Sequence, residues 1–144
     1  MTDIHTKYPA EFKCDDGHFV RSKAEMLIDN WLYKKGIIHE YETKIFLPNN
    51  PDSDLYCDFY LPTLGVYIEY WGREGDSTYD KRKNQKIDLY RNNSLKLISL
   101  NDNDIKRLND ILPKQFATAD VLDTDDGEEV TPSKRMWMGM TFED

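Results

Sequence analysis

The sequence predicts an α/β domain with a mixed sheet flanked by helices, its elements running α-β-β-β-α-β-α from about Ser22 to Leu112. Three observations carry that prediction. Apolar residues recur at helical spacing in three segments, strict alternation marks the stretch after the first of them, and a strand-helix-strand unit spans Val66 to Leu100. Such a unit needs a crossover, which makes its two strands parallel with a right-handed connection.

Residues 1–19 have weak periodicity and read as an irregular N-terminal segment with a turn at Asp15-Asp16-Gly17. From about Ser22 to Lys35, Ala24, Leu27, Ile28, Trp31 and Leu32 form one apolar helix face, and Gly36 ends the helix. Ser22-Lys23-Ala24-Glu25 has the form of a capping box, with Ser22 as cap and Glu25 reaching back to the Ser22 amide. Ile37, His39, Tyr41, Thr43, Ile45 and Leu47 then alternate with polar residues, the pattern of a strand with one wet face.

A loop over 48–54 leads to two short strands, Leu55 to Leu61 and Val66 to Trp71, joined by Pro62-Thr63-Leu64-Gly65. After a loop with Gly72 and Gly75, helical spacing returns from about Tyr79 to Asn92, followed by a largely buried strand over 95–100. A last helix, about Asp102 to Leu112, turns Ile105, Leu108 and Leu112 to one side. The only composition break falls near Phe116, so residues 20–116 read as the domain and 117–144 as a flexible acidic tail.

Composition bounds the function class. With 144 residues, 39% of them hydrophobic, the chain can bury one core. It contains no apolar run of membrane-spanning length and no secretory leader pattern, so the cytoplasm is the expected compartment and no membrane the expected partner. Cys14 and Cys57 lack the spacing of a zinc site and read as reduced thiols.

The net charge of −8 at first argues against a polyanion. Its distribution argues otherwise. From Ala117 onward eight acids face two bases, whereas Tyr79 to Lys96 carries six bases against two acids. That basic stripe is either a solvated helix face or a phosphate-binding one. The tail's end, MWMGMTF, is apolar enough to dock on a protein partner or on the domain itself.

If Leu61 pairs with Val66 across the turn, Asp58 stands opposite Glu69. Alternation puts Leu55, Cys57, Phe59 and Leu61 on one face with Val66, Ile68 and Tyr70, and leaves Asp58 and Glu69 on the other with Tyr56, Tyr60, Tyr67 and Trp71. Opposed carboxylates lie roughly 4.5–5.5 Å apart at Cβ and repel. A Mg²⁺ or Mn²⁺ ion is the natural compensation, because hard cations take carboxylate oxygens; solvated acids in another register are the alternative.

Asp58, Glu69-Tyr70-Trp71-Gly72 on the next strand, Arg21-Ser22-x-x-Glu25 on a preceding helix and a basic helix afterwards together resemble the PD-(D/E)XK nuclease superfamily. The resemblance covers about residues 18–115 and implies its restriction-endonuclease-like αβββαβ core. It implies a metal-binding Asp58, a metal-binding Glu69 and a supporting Glu25. Cys57 stands where the family name has Pro, and Trp71 where it has Lys. Lys86 is the cation that can replace that lysine. Lys86-x-x-x-Tyr90 also resembles the Gln-x-x-x-Tyr motif of recombination-type exonucleases in the superfamily. Tyr79, Arg82 or Lys83, Lys86 and Tyr90 share a helix face at i, i+3/4, i+7 and i+11.

The activity implied is metal-dependent hydrolysis of phosphodiester bonds in DNA, with RNA open, by an endonuclease of repair, recombination or restriction. Cutting both strands with so small a chain implies a homodimer. Lys86 would orient the water or meet developing charge, while Arg21, Arg73, Tyr79, Arg82, Lys83 and Tyr90 would contact nucleic acid. Glu74 and Asp76 read as solvated loop acids. His5, His18 and His39 show no metal spacing and read as structural. A catalytically inactive nucleic-acid-binding module and a protein-interaction module are the competing readings.

Overall fold

The computed structural model describes residues 9–72 and 75–123. His5, Arg73, Glu74 and residues 124–144, with the MWMGMTF run, lie outside them. A short antiparallel hairpin, β1 (Phe12–Lys13) and β2 (Phe19–Val20), opens the described chain where an irregular segment was expected. Helix α1 follows (Lys23–Lys34), then β3 (Glu40–Tyr41), β4 (Phe59–Leu61), β5 (Val66–Tyr70), α2 (Ser77–Asn92), β6 (Lys96–Leu100), α3 (Asp102–Ile105) and α4 (Leu108–Asp123). The expected last helix is therefore two helices, and the second carries the chain past Phe116, through Pro113, to Asp123.

The main sheet is mixed, in the order β3-β4-β5-β6. β3-β4 and β4-β5 are antiparallel, and β5-β6 is parallel across the α2 crossover. Leu61 pairs with Val66 and Phe59 with Ile68, the register expected of the hairpin. Gly65 supplies the left-handed φ of +66° that closes its turn, and its amide donates to the Leu61 carbonyl at 2.8 Å.

Helices cover both sheet faces. On one, Ile28 and Leu32 of α1 and Leu108, Leu112 and Phe116 of α4 pack on Phe59, Leu61, Val66, Ile68, Ile98 and Leu100. On the other, Tyr90 of α2 packs with Ile45, Leu47, Cys57 and Tyr67. Cys57 and Phe59 thus sit in different clusters, so the expected alternation breaks at Asp58, where the ladder gives way to a bend.

Two sequence expectations are corrected locally. The first strand is only Glu40–Tyr41, with one isolated bridge, Lys44 to Tyr56, because Glu42 takes a left-handed φ of 52° to meet Arg21. The buried face of α1 is Glu25, Ile28, Asp29 and Leu32, rotated away from the expected stripe so that Leu27 is exposed. Ser22 caps the helix as expected, its Oγ accepting from the Glu25 amide at 3.1 Å. Ser22→Ala should cost about 1 kcal/mol of stability in urea unfolding.

Both described cysteines are free and buried. Burial and the neighbouring charges of Asp29 and Asp16 push the Cys14 thiol up to about 12; burial and Glu69 raise Cys57 further. Since the thiolate is the reactive form, neither should react with a thiol-specific chromogenic reagent in the folded protein. Both should react on unfolding in guanidinium.

Candidate functional site

The β4-β5 hairpin and α2 assemble a compact charged site. Glu69 leaves the α2 side of β5 and is 2% exposed, and Asp58, at the bend that leads into β4, is 4% exposed. Asp58 Oδ2 accepts from the Tyr70 amide at 2.7 Å, which fixes its carboxylate beside the Glu69 strand. Lys86, on the inner face of α2, places Nζ 2.9 Å from Glu69 Oε2 and donates to the Tyr56 carbonyl at 2.6 Å. Tyr90, one helical turn on, donates its hydroxyl to the same Glu69 oxygen at 2.6 Å.

Burial is the first cause acting on Glu69, and the like charge of Asp58 the second. Together they push its carboxyl up to about 8, while the Lys86 ammonium and the Tyr90 hydroxyl pull in the opposite direction. Burial and Glu69 also raise the Tyr90 hydroxyl well above its ordinary value, so it stays a donor.

The fold thus brings Asp58, Glu69, Lys86 and Tyr90, all candidates from the sequence, to one place. Tyr90, however, is 1% exposed and holds Glu69, so it does not face nucleic acid. Tyr79 and Lys83 gather instead around Trp71: Tyr79 lies edge-on to the indole, and Lys83 Nζ sits 5.7 Å from its ring centroid. Arg82 is exposed. Asp76 caps α2 by accepting from the Tyr79 amide at 3.0 Å, which gives this loop acid a structural part.

Arg21 is committed elsewhere: its Nε lies 2.6 Å from Glu42 Oε2. Glu25 is buried, but its Oε1 accepts from the Tyr41 hydroxyl at 3.0 Å and the Arg21 amide at 3.2 Å. It reaches back one residue beyond the Ser22 amide expected of a capping box. Nor do Glu25, Asp58 and Glu69 form a group whose ligand atoms lie within 4.8 Å of one another.

Among the described residues, the group that does so is Asp16, His18, Asp29 and His39, a cluster that could hold a metal ion. His18 and His39, with no metal spacing in sequence, come together because the β1-β2 hairpin folds over α1 toward the start of β3. His18 Nδ1 lies 3.0 Å from Asp16 Oδ2 and 2.9 Å from Asp29 Oδ2; His39 Nε2 lies 3.0 and 3.2 Å from the same two atoms. Burial pushes Asp29 up, but hydrogen bonds with His39, Asp16 and His18 outweigh it and hold the carboxyl at about 2. The signal for this group lay in α1, where an acid shares the inner face with Ile28 and Leu32.

No helix among the described residues is long and apolar enough to cross a membrane. Comparison of the chain with protein-family models, with curated proteins and with solved structures finds no match.

Proposed function

We propose that this chain is a metal-dependent nuclease of the PD-(D/E)XK type, hydrolysing phosphodiester bonds in DNA on a restriction-endonuclease-like core. One observation carries the reading: two buried carboxylates, Asp58 at the bend before β4 and Glu69 on β5, lie side by side with the Lys86 ammonium 2.9 Å from Glu69. A structural ion pair needs one acid. The second raises the energy of the first, and a buried like-charge pair is characteristic of a functional site.

The donor set fits Mg²⁺ or Mn²⁺, since both acids offer hard oxygens and a divalent charge offsets their repulsion. Asp58 and Glu69 would hold the ion, which when bound polarises the scissile phosphate and lowers the pKa of a water. Lys86 sits where it can orient the attacking water or meet charge developing on the phosphate, and Tyr90 keeps the Glu69 carboxylate in place. Arg82 and Lys83, on the outer turns of the same helix, are positioned to contact the phosphate backbone, which would orient the strand without reading its bases.

The test is Mg²⁺-dependent cleavage of single-stranded, duplex, flap and junction DNA, with RNA counterparts, by wild type and Asp58→Ala. Metal-dependent cutting that Asp58→Ala abolishes supports the proposal. Binding that weakens steeply with salt and never cuts instead favours a nucleic-acid-binding module, a reading to which the Lys86 ion pair on Glu69 also lends itself.

A further inference from the structure

Asp16, His18, Asp29 and His39 take no part in the nuclease reading, yet two of them, Asp16 and His39, are oriented by contacts outside the cluster. Asp16 Oδ1 accepts from the His18 amide at 3.0 Å, which leaves Oδ2 toward both imidazoles. His39 Nδ1 lies 2.8 Å from the Ile37 carbonyl and therefore donates to it, which turns Nε2 toward the two carboxylates. A ring nitrogen anchored to a backbone carbonyl while the other faces the centre is the usual outer support of a metal-bound histidine.

The four inward atoms also have the right spacing. A tetrahedron with metal-ligand bonds of about 2.0–2.1 Å has edges of about 3.3–3.4 Å. Four of the six edges here, the His-Asp ones, measure 2.9, 3.0, 3.0 and 3.2 Å and the other two lie within 4.8 Å, so small shifts of a few tenths of an ångström or more along the edges accommodate a four-coordinate ion. Asp29 supplies a second, independent sign. It is fully buried, its Oδ1 accepts from no N–H or O–H group, and the Cys14 thiol beside it is only a weak donor. A carboxylate kept inside a helix-packing face needs a compensating charge, which a bound cation or the two imidazoles in protonated form can supply.

Donor chemistry selects the ion. Two imidazoles disfavour Mg²⁺ and Ca²⁺, which prefer oxygen throughout, whereas two nitrogens and two oxygens in a tetrahedral set suit Zn²⁺. Two carboxylates, two neutral imidazoles and one Zn²⁺ sum to zero charge. Four protein ligands fill the coordination shell, as in structural sites.

We propose that Asp16, His18, Asp29 and His39 form a structural zinc site that fastens the β1-β2 hairpin to α1 and to the chain entering β3. Two imidazoliums with two carboxylates reach the same net charge without metal, and the two arrangements separate cleanly in solution.

The experiment is a zinc titration of the full chain, free of affinity tags and stripped with chelator, in excess Mg²⁺ so that the Asp58-Glu69 pair is saturated. One equivalent should bind, and at a hundredfold excess over Kd the melting temperature should rise by about 8 °C. Co²⁺ in place of zinc should give the intense visible bands of a tetrahedral complex. His18→Ala and His39→Gln should each weaken binding by more than about 100-fold. His18 is 42% exposed and tolerates truncation, so its variant decides the matter if the His39 variant fails to fold. Absence of a melting shift in wild type, or binding unchanged in His18→Ala, overturns the zinc site and leaves an imidazolium-carboxylate cluster.

Discussion

Glu69→Gln should lower Mg²⁺-dependent cleavage by about 10³-fold or more, equivalent to about 4 kcal/mol of transition-state stabilisation, while the fold persists. The amide keeps the shape and can still accept from Tyr90 and Lys86, but it removes the anionic oxygen that the metal needs. The same substitution should change the pH dependence of stability in a definite sense. Glu69 is raised from its ordinary value of 4.5 to about 8 by burial and by Asp58, so the folded protein binds this proton more tightly than the unfolded chain. Between those two values the folded state holds the extra proton, and stability falls as pH rises through the window. On removing Glu69, that slope, worth on the order of 3–5 kcal/mol end to end, should disappear. Urea unfolding of wild type and Glu69→Gln across this range checks it, and Mg²⁺ should stabilise wild type more at the alkaline end than at the acid end. A slope identical in the two proteins would mean that Glu69 does not titrate as its surroundings require.

Much of the site was legible because its determinants are local. The Pro62 to Gly65 turn fixes the hairpin register, so the neighbouring positions of Asp58 and Glu69 follow from counting, and helical spacing alone puts Lys86 and Tyr90 on one face of α2. What was not legible depends on partners distant in sequence. Glu42 breaks the first strand because Arg21 is there to receive it. Glu25, rather than closing a capping box, turns to Tyr41 and the Arg21 amide, contacts that exist only once β3 lies against α1. The histidine cluster has no spacing to betray it, because its members come from the hairpin, the helix and the chain before β3. An apolar-stripe count on α1 passes over Asp29, since it scores hydrophobic positions and is blind to an acid that belongs inside. The burial of Tyr90 reverses a role for the same reason: periodicity fixes which residues share a face, and only packing fixes how deep along that face the protein surface lies.

Lys86→Met should reduce cleavage by about 10²–10³-fold, and adding Trp71→Lys should recover at least about tenfold of the loss. Glu69 lies in β5 and Trp71 one residue past its end, where the Trp71 amide still donates to the Leu100 carbonyl at 2.8 Å, so their side chains leave the same face. The Trp71 indole meets Tyr79 and Lys83 of α2, on the side from which Lys86 reaches Glu69. A lysine at 71 and a lysine at 86 therefore converge on one carboxylate from strand and from helix. The indole Nε1 is buried without a hydrogen-bond partner, so its removal also removes an unsatisfied donor, although lost packing against Tyr79 works against the substitution. Trp71→Lys alone, followed by circular dichroism and melting, separates lost packing from lost charge. If the double variant is folded and no more active than Lys86→Met, then Lys86 does not occupy the role of the lysine that the strand lacks. Recovery in kcat with KM unchanged would instead assign the two positions one function, a cation held against Glu69 whose origin on strand or helix is interchangeable.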